Sequence, residues 1–338
     1  MRGIGRNYIR MVSQLKAKIR NSSQKCEKFL EIYEILSSIK CKIYMIFPNK
    51  IFAQLYCIEN MGKRVNLTAP KTYDEKLWWL KLNYKDPLMT ICSDKYEVRK
   101  YVAQCGLKEL LIPLIGVYNA FEEIHFDKLQ DEVILKCNHV SGGNVIYNPK
   151  KNFNYKKEKL KFDRLMRKNY YFVSREWNYK NIKPRILIEK VLRDRKGNLP
   201  KDYKFLCFEG IPKLMYLIEN TCTETGRHES PDKRFLNVYD MEWNLTNISQ
   251  GFPIKCNKMI KKPVTFEKMK EYASVLAKPF PECRVDFYEI EGKVYFGELT
   301  FYDGGGCNNT QPEEWDLKLG SWIDIGKAKD HINQNYKR

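Results

Sequence analysis

The chain lacks the features that mark a membrane-spanning, secreted or zinc-binding protein. No apolar run approaches the roughly 18 residues that a bilayer-spanning helix needs, and the basic start is not followed by the apolar core of a secretory signal. The eleven cysteines are scattered singly, with no C-x-x-C pair and no Cys/His cluster. This pattern argues against a disulfide framework and a structural zinc site. We therefore expect reduced thiols and a cytoplasmic location, either free or at the inner face of the membrane.

Acidic residues are too few to balance the basic ones, and the formal net charge is +19. Nucleic acid, an anionic membrane surface and a polyanionic substrate would each suit this excess. Residues 1–26 carry seven Lys/Arg and no acid, and residues 150–168 carry nine Lys/Arg against Glu158 and Asp163. Neither stretch has the interleaved aromatics of a base-stacking surface, so we expect no nucleic-acid partner. The alternative is that both stretches are solvated helix faces.

Hydrophobic spacing predicts helices in the first third of the chain. Residues 1–45 have a helical stripe among basic residues, which suits either an anionic membrane surface or packing on the protein itself. Pro48 interrupts this region. A helix is predicted after Thr72, and another from Ser93-Asp94 through Val102, because Ser and Asp are good N-caps.

The remaining pattern predicts short strands with helices between them. Antiparallel hairpins interrupted by helices indicate an α+β enzyme rather than a doubly wound sheet. Strands are expected at Val133–Ile146 around a glycine turn, Ile186–Val191, Asp202–Phe208 with Leu214–Ile218, and the pair at 285–296. Residues 152–180 are predicted as helix or loop, 220–262 as polar loop and Phe266–Leu276 as helix. The predicted divisions are a basic helical extension (1–45), a helical or α+β region (46–130), a nucleotide- and metal-binding region (131–325) and a basic tail (326–338).

The most informative segment runs from Arg284 to Gly306. Asp286 and Glu298 lie in two short apolar runs joined by the turn at 291–293, which predicts a β-hairpin. Pairing of the two strands would bring both carboxylates together, and Mg²⁺ prefers one or two carboxylates plus substrate phosphates. The alternative is two solvent-facing acids on a hairpin.

Two further segments have the residue types of a nucleotide site. Lys136 ends an apolar strand, and Ser141, Gly142, Gly143 and Asn144 follow it, so that backbone N–H groups and a lysine could cradle phosphate. The order is not that of a Walker P-loop, and such a loop is often only a turn. The strand Ile186–Leu192 becomes polar at Glu189 and Lys190, where its edge could pair with adenine. Asp202 opens the next strand, where an acid could bind ribose hydroxyls; an ordinary edge strand is the alternative.

The order of these segments resembles the ATP-grasp superfamily, and more closely its TupA-like branch. The supporting segments span roughly residues 45–325 and are Met61–Lys63, Asn66-Leu67, Pro70–Lys76, Ser93–Tyr96, Lys136–His139 with Ser141-Gly142, Arg284–Asp286 and Gly297–Phe301. The resemblance implies an α+β fold in which two subdomains clamp ATP, here with an N-terminal helical extension. It also implies ligation of a carboxylate to an amine through an acyl-phosphate.

The resemblance implies roles for individual residues. Lys95 and Lys136 would contact ATP phosphates under the loop at 141–144, while Glu189 and the backbone of Lys190–Leu192 would bind adenine. The other implied roles are ribose binding by Asp202, Mg²⁺ binding by Asp286 and Glu298, and contact of Arg284 with the transferred phosphate. Thr300 stands where many members of the superfamily have a metal-binding asparagine, so a weaker hydroxyl ligand is expected there.

Two functions from different classes remain open at this stage. The first is an ATP- and Mg²⁺-dependent ligase of surface-polysaccharide biosynthesis. Its expected partners are ATP, an amino acid, an acidic polysaccharide or lipid-linked sugar acceptor, and an anionic membrane touched peripherally. The second is a capsular glycosyltransferase, although Asp194 and Asp202 do not form the D-x-D motif typical of that class. His139 and His228 are candidates for substrate contact.

Overall fold

The computed structural model describes residues 45–219, 223, 225–226, 235–250 and 260–335. The helix predicted over 1–45 and His228 therefore fall outside the described residues, apart from Met45. The helices are α1 (Asn49–Met61), α2 (Tyr73–Asn83), α3 (Pro87–Ser93), α4 (Val98–Gln104), α5 (Tyr155–Met166), α6 (Tyr171–Ser174), α7 (Phe266–Ala277), α8 (Glu313–Ser321) and α9 (Ile325–Asn335). The strands are β1 (Leu114–Tyr118), β2 (Val133–Cys137), β3 (Val145–Tyr147), β4 (Ile186–Lys190), β5 (Lys201–Phe208), β6 (Ile211–Glu219), β7 (Phe235–Tyr239), β8 (Glu282–Ile290) and β9 (Lys293–Thr300).

The strands form two antiparallel sheets, which confirms the predicted α+β class. The small sheet has the order β1-β4-β2-β3, and the large sheet has the order β7-β6-β5-β8-β9. The small sheet takes strands from both sides of the division expected at residues 130/131. Strand β4 of the small sheet is followed in the chain by strand β5 of the large sheet, so residues 191–200 connect the two sheets.

Local chemistry explains where several helices begin. Thr72 and Glu75 form the reciprocal capping box that starts α2. The helix predicted from Ser93-Asp94 was placed too early, because the Asp94 carboxylate accepts the Tyr96 N–H at 2.8 Å and caps a turn, and α4 begins at Val98. Pro48 precedes a helix that the sequence pattern did not reveal, since a proline is tolerated at the start of a helix.

Both hairpins of the large sheet close through two-residue turns. Glu209-Gly210 and Glu291-Gly292 have positive φ throughout, which matches the right-handed twist of paired strands. The first turn is tighter than predicted, so that β6 begins at Ile211 rather than Leu214. Strand β7 lies within the segment that was predicted to be polar loop, and it pairs with β6.

The large sheet carries the main hydrophobic core. Helix α7 packs on one face of it with Phe266, Met269 and Leu276, and a smaller core joins α5 to the small sheet through Phe162. The predicted basic tail is mostly helix α9. Among the described residues, none of the helices has both the length and the apolar character to cross a bilayer.

Candidate functional site

Asp286 and Glu298 are direct cross-strand partners in the β8–β9 hairpin, as the sequence predicted. A β-bulge follows Asp286, and it brings Gly297 so close to the opposite strand that a Cβ atom there would lie 2.9 Å from the Asp286 carbonyl oxygen. Glycine is therefore required next to Glu298. The bulge aims both carboxylates at the same side of the sheet, where bulges commonly redirect functional side chains.

Arg284 holds the acids of the hairpin together. Its Nε and NH2 atoms donate to the two oxygens of Asp286 at 2.7 and 2.8 Å. It also donates to Asp303 and to the Thr300 hydroxyl, and the Thr300 hydroxyl donates in turn to Glu298 at 3.2 Å. The predicted metal position at Thr300 thus lies within a connected polar network.

Lys204 completes this network from the neighbouring strand. Its Nζ atom lies 2.5 Å from the carboxylates of both Asp202 and Asp286. Burial raises the pKa of Asp202 despite the attraction of Lys204. Burial would also raise the pKa of Asp286, but Arg284 and Lys204 outweigh it and hold that pKa below its usual range. Asp202, expected at a ribose, therefore lies beside the hairpin acids, with its Oδ1 atom buried and without a hydrogen-bond partner in the described chain.

The acids of this network outnumber its cations by four to two, which leaves a formal charge of −2. Its acids are Asp202, Asp286, Glu298 and Asp303, and its cations are Lys204 and Arg284. The described residues contain no group of three or more His, Cys, Asp or Glu arranged to hold a metal unaided. Mg²⁺ usually combines one or two carboxylates with phosphate oxygens. The excess charge and the half-exposed Glu298 fit such an ion when phosphates supply the other ligands.

The small sheet contributes a second ionic group. Lys136 Nζ lies 2.5 Å from Glu189 Oε2, and Arg99 NH1 lies 3.2 Å from Glu189 Oε1. Arg99 also donates to the Ile112 carbonyl at 2.9 Å. The Glu189 carboxylate therefore contacts Lys136, the lysine that is predicted to bind phosphate.

A cavity of about 300 Å³ lies where the end of β4 faces the turn of the β8–β9 hairpin. Lys190 and Leu192, both expected near adenine, line it together with Ile290, Lys293 and Tyr295. Glu189 does not line it, because successive side chains of a strand point to opposite faces. The Lys190 N–H donates to Pro113 O at 3.1 Å, so that donor is already used.

The glycine loop has the backbone expected of an anion cradle. Gly142 and Gly143 have φ of 76° and 82°. Within the described chain, no backbone N–H of residues 141–144 donates a hydrogen bond. His139, by contrast, is buried, and its ring nitrogens contact Asn138 Oδ1 and Leu165 O. Its position behind the loop does not favour substrate contact.

Lys95 is attached to the small sheet near the glycine loop. Its backbone N–H donates to Asn138 O at 3.2 Å and its Nζ donates to Val140 O at 2.9 Å, which attaches it to the end of β2. Burial lowers its pKa, the Glu298 charge opposes that effect, and Lys136 lowers the pKa further. Lys95 is therefore held at the end of β2 and feels the charges of both Lys136 and Glu298.

Sequence patterns missed several residues in and around these ionic groups. Lys204 follows Asp202 by two positions on a strand, and this spacing places both on one face. Asp303 was visible in the Tyr-Asp-Gly-Gly-Gly run after β9. No local signal pointed to the segment Tyr170–Tyr179, which Lys81 and Ser93 attach to the rest of the protein.

The described chain combines two antiparallel sheets, a glycine loop with nearby lysines and a hairpin that pairs two carboxylates, and it is a protein of the α+β class. The family model TupA-like ATPgrasp matches residues 75–324, and the chain belongs to that family. This result confirms both the resemblance and the ATP-grasp fold.

Several solved structures of ligases are similar to this chain. D-alanine–D-alanine ligase from Bacillus anthracis is 16% identical, with 71% of this chain and 70% of that chain covered and a TM-score of 0.41. The corresponding ligase from Helicobacter pylori is 15% identical over 75% of this chain and 67% of that chain, with a TM-score of 0.39. D-cycloserine synthetase DcsG is 12% identical over 70% and 71% of the two chains, with a TM-score of 0.37. No curated protein matches the chain.

Proposed function

We propose that this protein is an ATP- and Mg²⁺-dependent ligase that joins a carboxylate to an amine through an acyl-phosphate. The observation that supports this function most strongly is the cross-strand pair Asp286–Glu298 within a chain of the TupA-like ATPgrasp family. The cavity at Lys190 and Leu192 suits adenine, and the glycine loop suits the phosphates.

The first step needs charge neutralisation rather than a protein nucleophile. A substrate carboxylate oxygen attacks the γ-phosphorus, the bond to the β-phosphate oxygen breaks, and ADP leaves. Lys95, Lys136 and Arg284 would stabilise the negative charge on the transferred phosphoryl group. Asp286, Glu298 and Thr300 would hold Mg²⁺, which supplies further charge neutralisation when bound.

The second step forms the new bond. The amine nitrogen attacks the acyl carbon, the carbon–oxygen bond to phosphate breaks, and inorganic phosphate leaves as the nitrogen loses a proton. Arg284 would stabilise the leaving phosphate in this step.

The substrates that we propose are an amino acid and the carboxylate of a uronic acid in an acidic polysaccharide or a lipid-linked sugar. The formal net charge of +19 supports a polyanionic partner. A protein without residues 1–25 should still release ADP with a small soluble acceptor but lose binding to anionic liposomes or acidic polysaccharide at low salt. If the truncated protein binds liposomes and polysaccharide as well as wild type does, residues 1–25 do not recruit the acceptor.

Nucleotide selectivity and product formation test the ligase itself. Mg·ATP should raise the thermal midpoint of the purified protein, because a ligand that binds only the native state stabilises it. ADP release should then depend on one member of a panel of uronic acids and amino acids. Stabilisation by UDP- or GDP-sugars with none by ATP would instead establish the glycosyltransferase alternative.

A further inference from the structure

Two cysteines from distant parts of the chain meet beside the turn that follows β9. Cys57 lies on α1, and Cys307 comes 250 positions later, directly after the glycines of that turn. Their Sγ atoms lie 4.0 Å apart. Cys57 is fully buried, whereas Cys307 is half-buried. The sulfur atoms of a disulfide lie about 2.0 Å apart, so rotation of these two side chains could bring the atoms into bonding distance.

The surroundings of Cys307 favour its thiolate. Lys81 Nζ donates to Gly305 O at 2.5 Å, and it lies 3.8 Å from the centroid of the Trp78 ring, which belongs to the small core that Cys307 packs against. The hydrogen bond with Cys57 lowers the pKa of the Cys307 thiol; burial opposes this effect, and the charge of Lys81 adds to it. A half-buried sulfur therefore lies beside a buried cation.

The other described thiols lack this combination. Four of them are buried, and burial raises the pKa of each: Cys92, Cys137, Cys207 and Cys283. Cys105 is half-buried, but burial raises its pKa as well. The thiolate is the nucleophile in thiol oxidation, and redox-sensitive cysteines commonly have a second thiol next to them. Among the described residues, Cys307 is therefore the thiol best suited to react first, with Cys57 next to it.

The turn that leads to Cys307 is also connected to the hairpin acids. Asp303, at its start, accepts a hydrogen bond from Arg284. Asn308, next to Cys307, donates from Nδ2 to Asp303 O at 2.9 Å and from its backbone to Asp74 Oδ1 at 2.9 Å. A displacement of Cys307 would therefore pass through Asn308 and Asp303 to the arginine that binds Asp286.

We propose that Cys307 is a peroxide-reactive thiol and that Cys57 converts its oxidised form into a reversible disulfide, which lowers ligase activity. The effect on activity rests on the proposed function; the thiol chemistry does not. The competing account is that both cysteines are packing residues only, because free cysteine is among the most buried residue types.

The oxidation has two steps. The Cys307 sulfur attacks one oxygen of hydrogen peroxide, the O–O bond breaks, and hydroxide leaves and takes up the thiol proton, so that Cys307 becomes a sulfenic acid. The Cys57 sulfur then attacks the Cys307 sulfur, the S–O bond breaks, and the oxygen leaves as water with the Cys57 proton. Two thiols are oxidised and one peroxide is reduced to two waters. A dithiol reductant reverses the reaction.

Peroxide treatment of the reduced protein tests the thiol pair. After the remaining thiols are blocked, we expect a proteolytic peptide that links Cys57 to Cys307 and that dithiothreitol separates. The thermal midpoint of the oxidised protein should exceed that of the reduced protein, because a cross-link between residues 250 positions apart restricts the unfolded chain.

Variants assign the role of each sulfur. Cys57→Ala removes the second thiol, so the sulfenic acid at Cys307 should persist and react with dimedone at least about fivefold more than in wild type. Cys307→Ser should form neither the cross-link nor the dimedone adduct, and it tests the pair if Cys57→Ala does not fold. Cys105→Ala, which removes another half-buried thiol, is the matched control and should cross-link as wild type does.

ADP release measures the connection to the hairpin. With a carboxylate that supports turnover, oxidation should lower the wild-type rate at least about threefold, because small displacements of groups that orient substrates slow a reaction. Dithiothreitol should restore the rate. The rate of Cys307→Ser should not change with peroxide.

The possible results separate the claims. Absence of the Cys57–Cys307 peptide after peroxide treatment would overturn the thiol pair. A cross-link with unchanged ADP release, or equal inhibition of Cys307→Ser, would overturn the effect on activity. If the reduced protein releases no ADP with any carboxylate, the ligase function fails, while the linked peptide and the thermal midpoints still decide whether the thiol pair exists.

Discussion

Lys204 Nζ lies 2.5 Å from the carboxylate of Asp286, on the strand next to the one that carries it. The two residues are Cα partners in the β5–β8 register. Asp286 is almost completely buried and also receives two hydrogen bonds from Arg284. The candidate metal carboxylate is therefore neutralised by two cations within the protein, and an incoming ion must share it with them.

Removal of Lys204 should destabilise the protein and increase its response to divalent cations. In Lys204→Met, two buried carboxylates lose their shared cation, and breaking a buried pair costs about 3–5 kcal/mol. We expect a lower thermal midpoint than in wild type and a larger rise of that midpoint on addition of Mg²⁺. Lys268→Met on the exposed face of α7 is the control. Equal Mg²⁺ responses in wild type and Lys204→Met would show that the metal does not bind at Asp286.

Neutral variants of Asp286 and Glu298 should both lose ADP release but should differ in stability. The side chain of Glu298 is 39% exposed, so Glu298→Gln should unfold within about 0.5 kcal/mol of wild type while ADP release is lost. Asp286→Asn should lose ADP release and also unfold at clearly lower urea concentration, because Arg284 and Lys204 lose a buried partner. Urea titrations and ADP assays on both variants measure this. Wild-type turnover in Glu298→Gln would exclude that residue from the metal site.

Lys136 and Arg99 both contact Glu189, which makes them a matched pair for nucleotide binding. A hydrogen bond to a charged group is worth about 1.5–3 kcal/mol, so Lys136→Met should weaken ATP binding roughly ten- to a hundredfold. Arg99→Gln should change the ATP Kd much less, because Arg99 is also engaged with Ile112 O. Calorimetric titration with ATP compares them. Equal losses would indicate that both act through Glu189 and not on phosphate.

Stability should fall toward alkaline pH because of Glu282. Burial, with a smaller contribution from Asp303, raises the pKa of this carboxyl from 4.5 to about 8. A carboxyl whose pKa is higher in the folded state binds its proton more tightly there. Its contribution is complete below pH 4.5 and is lost as the pH rises to about 8. The thermal midpoint of Glu282→Gln minus that of wild type should therefore be larger at pH 8.5 than at pH 5.5. A constant difference between the two proteins across this range would contradict the assignment.

The sequence by itself determined the strands and the hairpin chemistry. Alternating apolar residues and two-residue glycine turns specify β-hairpins locally, so the β8–β9 hairpin was predictable from the sequence. The direct pairing of Asp286 with Glu298 also needs the bulge after Asp286, because an unbroken register would place Asp286 opposite Gly297. The capping box at Thr72 and the family motifs also depend on residues close in the chain. These signals sufficed for the α+β class.

Only the tertiary structure decided which of these residues meet. Glu189 pairs with Lys136 because β4 lies beside β2, and Asp202 meets Asp286 through Lys204 because β5 lies beside β8. The segment Tyr170–Tyr179 has no motif, and it is attached through Lys81 and Ser93 from another part of the chain. Such contacts depend on packing between residues far apart in sequence, and local propensity carries no information about them.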